Sequence, residues 1–259
     1  MDDTISAVIL AVGLCLGMLI CLEIGRRVGI RRLATESEES KSGLGIVEGA
    51  VFGLYGLLVA LTFSGAPARF DLRRQQIAEE ANAIGTAYLR VDLLPAASRP
   101  AMREQFRTYV DSRLDVYRRV PDMAAVNAAL ATSANLQNEI WAEAVEATQL
   151  PGAHPDAGKL LLPALNEMID ITTTRTMAAR IHPPMIVFAL LFFLALACSL
   201  IAGYRMAGGA RRSWLHIIAF VAATVVSVYV ILEIEYPRRG FIRIDAYDQV
   251  LVDVRRSMQ

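Results

Sequence analysis

Charge is what this sequence has little of. Lys, Arg, Asp and Glu make up 20% of its 259 residues, against 54% hydrophobic residues and a mean hydropathy of +0.40. Soluble domains carry about a quarter charged residues, so this balance excludes an ordinary soluble protein and points to the bilayer. A surplus of one sign is missing too, with 26 basic side chains against 26 acidic ones, which removes the electrostatic footprint of nucleic-acid binding. Cysteine is scarce: Cys15, Cys21 and Cys198 lie in apolar runs with no CxxC spacing, which excludes a disulfide framework and a zinc site. His154, His182 and His216 are far apart and share no ligand spacing with one another or with acids. A phosphate-cradling glycine loop, a GxSxG elbow and a dinucleotide fingerprint are all absent. The expectation is a protein that is not an enzyme and that has no cofactor and no metal.

Long apolar runs are present in number. Four stretches, about 4–22, 44–63, 185–204 and 216–234, meet the roughly 20-residue requirement of a helix that crosses a bilayer. The first is expected to be a retained anchor and not a secretory signal, because Asp2 and Asp3 stand where a basic leader belongs and Arg26, Arg27, Arg31 and Arg32 follow the run. The spans form two hairpins, 1–63 and 183–235, around an extramembrane domain at 64–182, with a tail at 236–259. Two loops are expected, at 35–42 and 207–212.

The middle domain reads as helical throughout. Phe70, Ile77, Ile84 and Val91, with Ala81 and Tyr88 between them, keep a seven-residue stripe, so the second span is expected to continue into this helix. Pro95 and Pro100 mark a turn; Met102, Phe106, Tyr109, Val110 and Leu114 then recur at helical intervals. A third helix spans about 122–149, with Met123, Val126, Leu130, Ile140, Trp141 and Val145 as its apolar positions, and the turn at Leu150, Pro151 and Gly152 closes it. A fourth begins near Pro155, tolerates or kinks at Pro163 and ends at His182, Pro183 and Pro184. The fold class predicted is all-α: four transmembrane helices with an extramembrane helical domain between the second and third.

An even number of spans puts the termini and the middle domain on one side and the short loops on the other. Cations near the span ends tie: Arg26, Arg27, Arg31, Arg32, Lys41, Arg205, Arg211 and Arg212 against Arg69, Arg73, Arg74, Arg175, Arg180, Arg238, Arg239 and Arg243. The aspartates before the first span and the arginines after it lean toward short loops inside.

On a wheel of 100° per residue the second span has three faces. Gly45, Gly49, Gly53, Gly56 and Ala60 form a small-residue stripe that lets a neighbouring backbone come close. Val47, Ala50, Leu54, Leu57 and Leu61 suit lipid. Glu48, Phe52, Tyr55, Val59 and Thr62 form the third face, and they are the pore-lining candidates. In a symmetric assembly Glu48 would repeat as a ring that disfavours anions, and Phe52 and Val59 would make constrictions that gate by dewetting. The simpler alternative pairs Glu48 with Lys41 or a first-loop arginine, and makes Tyr55 and Thr62 hydrogen-bond partners between helices. Elsewhere, Glu233 and Glu235 read as interfacial partners of Arg238 and Arg239. Glu80 lies a turn from Arg73, and Asp71 near Arg74, the spacing of ion pairs along a helix. A membrane enzyme would need folding to gather Asp71, Glu79, Glu80 and Asp170.

The run from Gly56 to Ala66, continuing through Phe70, Asp71 and Arg74 to Glu80, Asn82 and Arg90, resembles the bacterial bestrophin-like membrane proteins. So do 166–170 and the stretch from Tyr236 to Ile244. The likeness covers almost the whole chain and extends more loosely to bestrophins, which are pentameric, ligand- or calcium-regulated ion channels whose second spans line the pore. It implies a homo-oligomer, pentameric by analogy, in the lipid of a bacterial inner membrane, passing an inorganic ion and binding no nucleic acid. It also implies a cytoplasmic helical domain and cytoplasmic termini, against the lean of the first span. The chain departs from the bestrophin pattern in two places. The tryptophan pair after the second span is replaced by Phe70, Asp71 and Arg74, and Glu36, Glu38 and Glu39 make no calcium clasp. The alternative is a membrane-anchored sensory or protein-interaction module without a pore.

Overall fold

The computed structural model describes residues 3–32, 38–120, 122–208, 213–238 and 241–258, leaving aside the side chains of 3–6 and 38–44. Among the described residues there is no strand. The helices are α1 (Asp3–Arg32), α2 (Glu38–Arg90), α3 (Arg99–Arg118), α4 (Met123–Ala147), α5 (Ala157–Arg180), α6 (Met185–Met206), α7 (Trp214–Glu235) and α8 (Gln249–Ser257). The loop expected at 35–42 is already helix from Glu38 onward. Residues 35–37 and 209–212, and the side chains of Glu36, Glu38, Glu39 and Lys41, lie outside the described part. The chain divides into two units, residues 1–68 with 182–236, and residues 69–181 with 237–259.

The first unit holds α1, the apolar part of α2, α6 and α7. Each is long and apolar enough to cross a membrane, and a helix satisfies its own backbone, which is the condition for lying in hydrocarbon. Its backbone contacts centre on α1, which packs along α6 and against α7. Glycine sets the closeness of the α1–α6 pair. A Cβ on Gly25 would stand 2.0 Å from the Leu200 carbonyl oxygen, one on Gly29 2.5 Å from that of Tyr204, and one on Gly203 2.0 Å from that of Leu22. The small residues therefore permit backbone to rest on backbone where no side chain fits. Leu14, Met18, Leu22, Leu191, Cys198, Val228 and Ile231 fill the centre.

The second unit is built from the rest of α2 with α3, α4, α5 and α8. The heptad stripe of α2 goes inside: Ile77, Ala81, Ile84 and Val91 are buried. After a 3-10 turn at Val91–Leu93, α3 starts with Pro100 in its first turn, where the missing N–H costs nothing. Met102, Phe106, Tyr109, Val110 and Leu114 face the same core. The Asp122 carboxylate caps α4 by accepting from the amides of Ala124 and Ala125 at 3.0 Å. The turn to α5 uses Gly152, whose φ of +92° favours glycine. α5 continues through Pro163 and stops ahead of Pro183 and Pro184. The residues set apart as a tail belong here, since Leu251 of α8 and Met258 are fully buried in the core of this unit.

Candidate functional site

The second span presents its three faces unequally. Tyr55 and Thr62 are buried within the span unit, and the Thr62 hydroxyl donates to the Leu58 carbonyl at 2.7 Å. Phe52 lies against Phe220 of α7, ring centroids 5.9 Å apart, and Val59 packs on the same core. Glu48 reaches Arg205 of α6 at 3.0 Å. Pairing is thus the state of Glu48 within one chain, with a partner on the third span instead of the first loop. The face drawn from Glu48 to Thr62 is the face turned to the chain's own helices. Conversely, a Cβ added to Gly45, Gly49, Gly53 or Gly56 would meet nothing within 4 Å. Among the described residues no other helix of the chain meets these glycines, and Gly25, Gly29 and Gly203 hold the close approach. Leu54, Leu57 and Leu61 are exposed beside them.

Polar chemistry gathers in the second unit. Glu80 on α2 is fully buried and so is Arg113 of α3, whose Nε donates to Oε1 at 2.5 Å. Arg175 of α5 donates from Nη1 to Oε2, and the Tyr117 hydroxyl donates to the same oxygen at 3.1 Å. The second Arg113 nitrogen, Nη2, donates to the Tyr117 oxygen, and among the described residues its Nη1 has no acceptor. Arg175 continues to Asp248 at 2.9 Å; Arg238 spans Asp248 at 2.8 Å and Asp245 at 3.0 Å; Arg243 also pairs with Asp245. The Tyr117 ring lies among three guanidiniums, with Arg175 at 3.8 Å, Arg238 at 4.8 Å and Arg113 at 5.2 Å from its centroid, the cation–π range.

The electrostatics follow from this arrangement. Burial opposes the charge of Glu80, but the Arg113 and Arg175 guanidiniums outweigh it and hold the carboxyl below the usual carboxylate range. Burial, helped by the Glu80 charge, pushes the Tyr117 phenol above its ordinary value, so it stays a neutral donor. Next to this cluster Gln137 donates to Tyr109 at 3.0 Å, and Tyr109 and Thr172 share a hydrogen at 2.9 Å. One pocket, about 330 Å³, opens beside the cluster, with Tyr117, Arg238 and Asp248 in its wall.

The motif residues near α2 separate. Asp71 pairs with Arg74 at 3.0 Å on the surface as its spacing suggests, and the Arg74 guanidinium lies 4.3 Å from the Tyr247 ring and 5.9 Å from that of Phe70. Asn82 is exposed. Glu80 does not take Arg73, which instead donates to the carbonyls of Ala178 at 3.3 Å and Ile181 at 2.9 Å. Of Asp71, Glu79, Glu80 and Asp170 only Glu80 is buried, so folding does not assemble these four. Of the two arginines expected beside Glu233 and Glu235, Arg238 pairs with Asp245 and Asp248 and Arg239 lies outside the described residues; His182, stacked on Tyr236, stands 3.5 Å from Glu235. The residues missed were Arg113, Tyr117, Arg175 and Asp248. A signal existed for two of them, since Arg113 and Arg175 fall in phase with the apolar stripes of α3 and α5.

Residues 12–247 match the family model of the Bestrophin-like domain. No curated protein and no solved structure matches the chain.

Proposed function

The chain belongs to the bestrophin-like family, as an integral membrane protein, and we propose that it is an oligomeric ion channel of a bacterial inner membrane, with copies of α2 around a pore. The observation that carries this reading is the incomplete cover of α2. In its most apolar stretch 11% of residues are buried, against 22%, 33% and 39% in the other three spans. A ring of copies gives that helix the neighbours its own chain withholds. The face available to the axis is the open one, Gly49, Gly53, Gly56 and Ala60 flanked by Leu57, while the Glu48 face stays with α6 and α7 of the same subunit. Such a neck is apolar and would gate by dewetting. Glu48 then steadies the subunit through Arg205 and forms no selectivity ring. Catalysis has no part in this reading.

The test is native mass in nanodiscs followed by ion flux from liposomes. The expected result is a pentamer whose flux is blocked by Gly53→Trp and whose ion selectivity is unchanged by Glu48→Gln. A monomer, or flux indifferent to Gly53→Trp, overturns the proposal. The pocket of the helical domain favours one other reading, a membrane-anchored sensory module without a pore. A folded, ligand-binding monomer without flux would establish that one.

A further inference from the structure

The pocket beside Tyr117 has the chemistry of a ligand site, and its charges decide which ligand. Its wall holds three guanidiniums, Arg118, Arg238 and Arg243, against the two carboxylates of Asp245 and Asp248, and the buried cluster of Arg113, Arg175 and Glu80 joins it through Asp248 and Tyr117. All three carboxylates are already taken: Glu80 accepts from Arg113, Arg175 and Tyr117, Asp248 from Arg175 and Arg238, and Asp245 from Arg238 and Arg243. An incoming cation therefore finds no unpaired carboxylate. An anion finds Arg118, which lines the pocket, is exposed and has no partner among the described residues.

The remaining wall restricts the anion further. Leu114, Val120 and Val252 line the pocket beside the arginines, and a bare inorganic oxyanion leaves that apolar surface uncovered. An organic body covers it and gains the usual transfer free energy. A volume of about 330 Å³ sits at the small end of ligand pockets, which excludes a folded partner or a long peptide. We propose that this pocket binds a small organic monocarboxylate, its carboxylate held by Arg118 and Arg243 and its apolar body laid against Leu114, Val120 and Val252. The pocket lies within one unit of the chain, so the inference is independent of whether α2 lines a pore.

The probe is benzoate, titrated calorimetrically into the full-length protein in nanodiscs, with benzamide as its neutral isostere and inorganic phosphate as the bare anion. The expected result is saturable binding of benzoate at one site per chain and none of benzamide. Loss of a charge-assisted, two-point contact in Arg118→Gln weakens benzoate at least roughly tenfold. Arg118 is exposed and unpaired, so this variant keeps the melting temperature of the parent, which separates a lost site from a lost fold. Val120→Asp, which places a carboxylate on the apolar wall, is expected to abolish binding as well. Benzoate binding that is absent from the parent, equal in Arg118→Gln, or matched by benzamide overturns the proposal. Phosphate that displaces benzoate at equal concentration overturns the assignment to carboxylates.

Discussion

A paired cluster of buried charges organises the helical unit, and close backbone contact organises the span unit, whose buried carboxylates Glu233 and Glu235 lie at the end of α7. Residues 69–181 with 237–259 enclose Glu80 between two guanidiniums and a phenol, three groups from two helices converging on one carboxylate. Residues 1–68 with 182–236 instead bring α1 and α6 together over Gly25, Gly29 and Gly203. The difference follows from the solvent each unit faces. Water supplies a strong drive for apolar burial, which can support a desolvated ion cluster if every member is partnered. Lipid supplies no such drive between helices, so contact there rests on close packing, and glycine decides which helices meet. By that rule the first unit is complete between α1 and α6 and unfinished along α2.

The largest effect is expected where the buried charges are. Glu80→Gln leaves Arg113 with no anion and Arg175 with Asp248 alone, and uncompensated buried charge costs about 3–5 kcal/mol. Thermal unfolding of the purified protein in detergent, followed by the fluorescence of Trp141 in a Trp214→Phe background, measures it. An unaltered transition would mean that the cluster is hydrated, and the contrast between the units would fail.

Next come the glycines, which test the span unit against itself. Gly203→Leu drives a side chain into the Leu22 carbonyl, and overpacking of this kind costs about 1–3 kcal/mol where the backbone can still shift. Gly53→Leu enters open space, so the stability of a single chain is expected to stay within about 0.5 kcal/mol of the parent. Melting temperatures of both variants in a detergent that keeps chains apart give the comparison. In lipid the order of interest reverses, because Gly53→Leu is the variant expected to disturb assembly. Equal melting losses at both positions would show that α2 already has a neighbour in its own chain.

A smaller and graded effect is expected from pH. The folded Glu80 carboxyl is held below its ordinary value by Arg113 and Arg175, so the unfolded chain binds its proton first as acid is added. Its contribution to stability is complete above the ordinary carboxylate pKa of about 4.3 and declines as pH falls through the lower folded value. The melting temperature of the parent should therefore drop below about pH 4.3, and that of Glu80→Gln should lose this part of the slope. Parallel curves would exclude Glu80 as the source.

These contrasts also explain what was legible beforehand. The helices from α1 to α7, the continuation of α2 past its apolar stretch and the buried stripes of α2 and α3 could be read because period and turn residues are local properties, whereas α8 lies in the stretch set apart as a tail. The ion cluster could not, because Glu80, Arg113, Arg175 and Asp248 lie on four elements far apart in sequence. A charged residue in phase with an apolar stripe, as at Arg113 between Val110 and Leu114, is the local trace it leaves. The glycines misled for a related reason. A small-residue stripe shows that a close approach is possible and does not name the helix that arrives, so the pattern of α2 drew notice while Gly25, Gly29 and Gly203 made the contact. Glu48 likewise needed a partner, and spacing could not point to Arg205 of α6.

The smallest expected effect separates exposed charge from buried charge within the helical unit. Arg255 of α8 meets Asp111 of α3 with two hydrogen bonds, Nε to Oδ1 at 2.9 Å and Nη2 to Oδ2 at 3.1 Å. The geometry rivals that of the Glu80 cluster, yet the side chains are 32% and 55% exposed. Water screens the pair and already solvates each partner, so breaking it strands no charge. What fixes α8 is Leu251, fully buried in the core. Arg255→Ala is accordingly expected to cost less than about 1 kcal/mol, and Leu251→Ala about 2–5 kcal/mol, read as amide exchange protection along α8 in the intact protein. A larger loss from Arg255→Ala would mean that surface pairing and not burial holds the C-terminal helix, and the ranking drawn from exposure would have to be inverted.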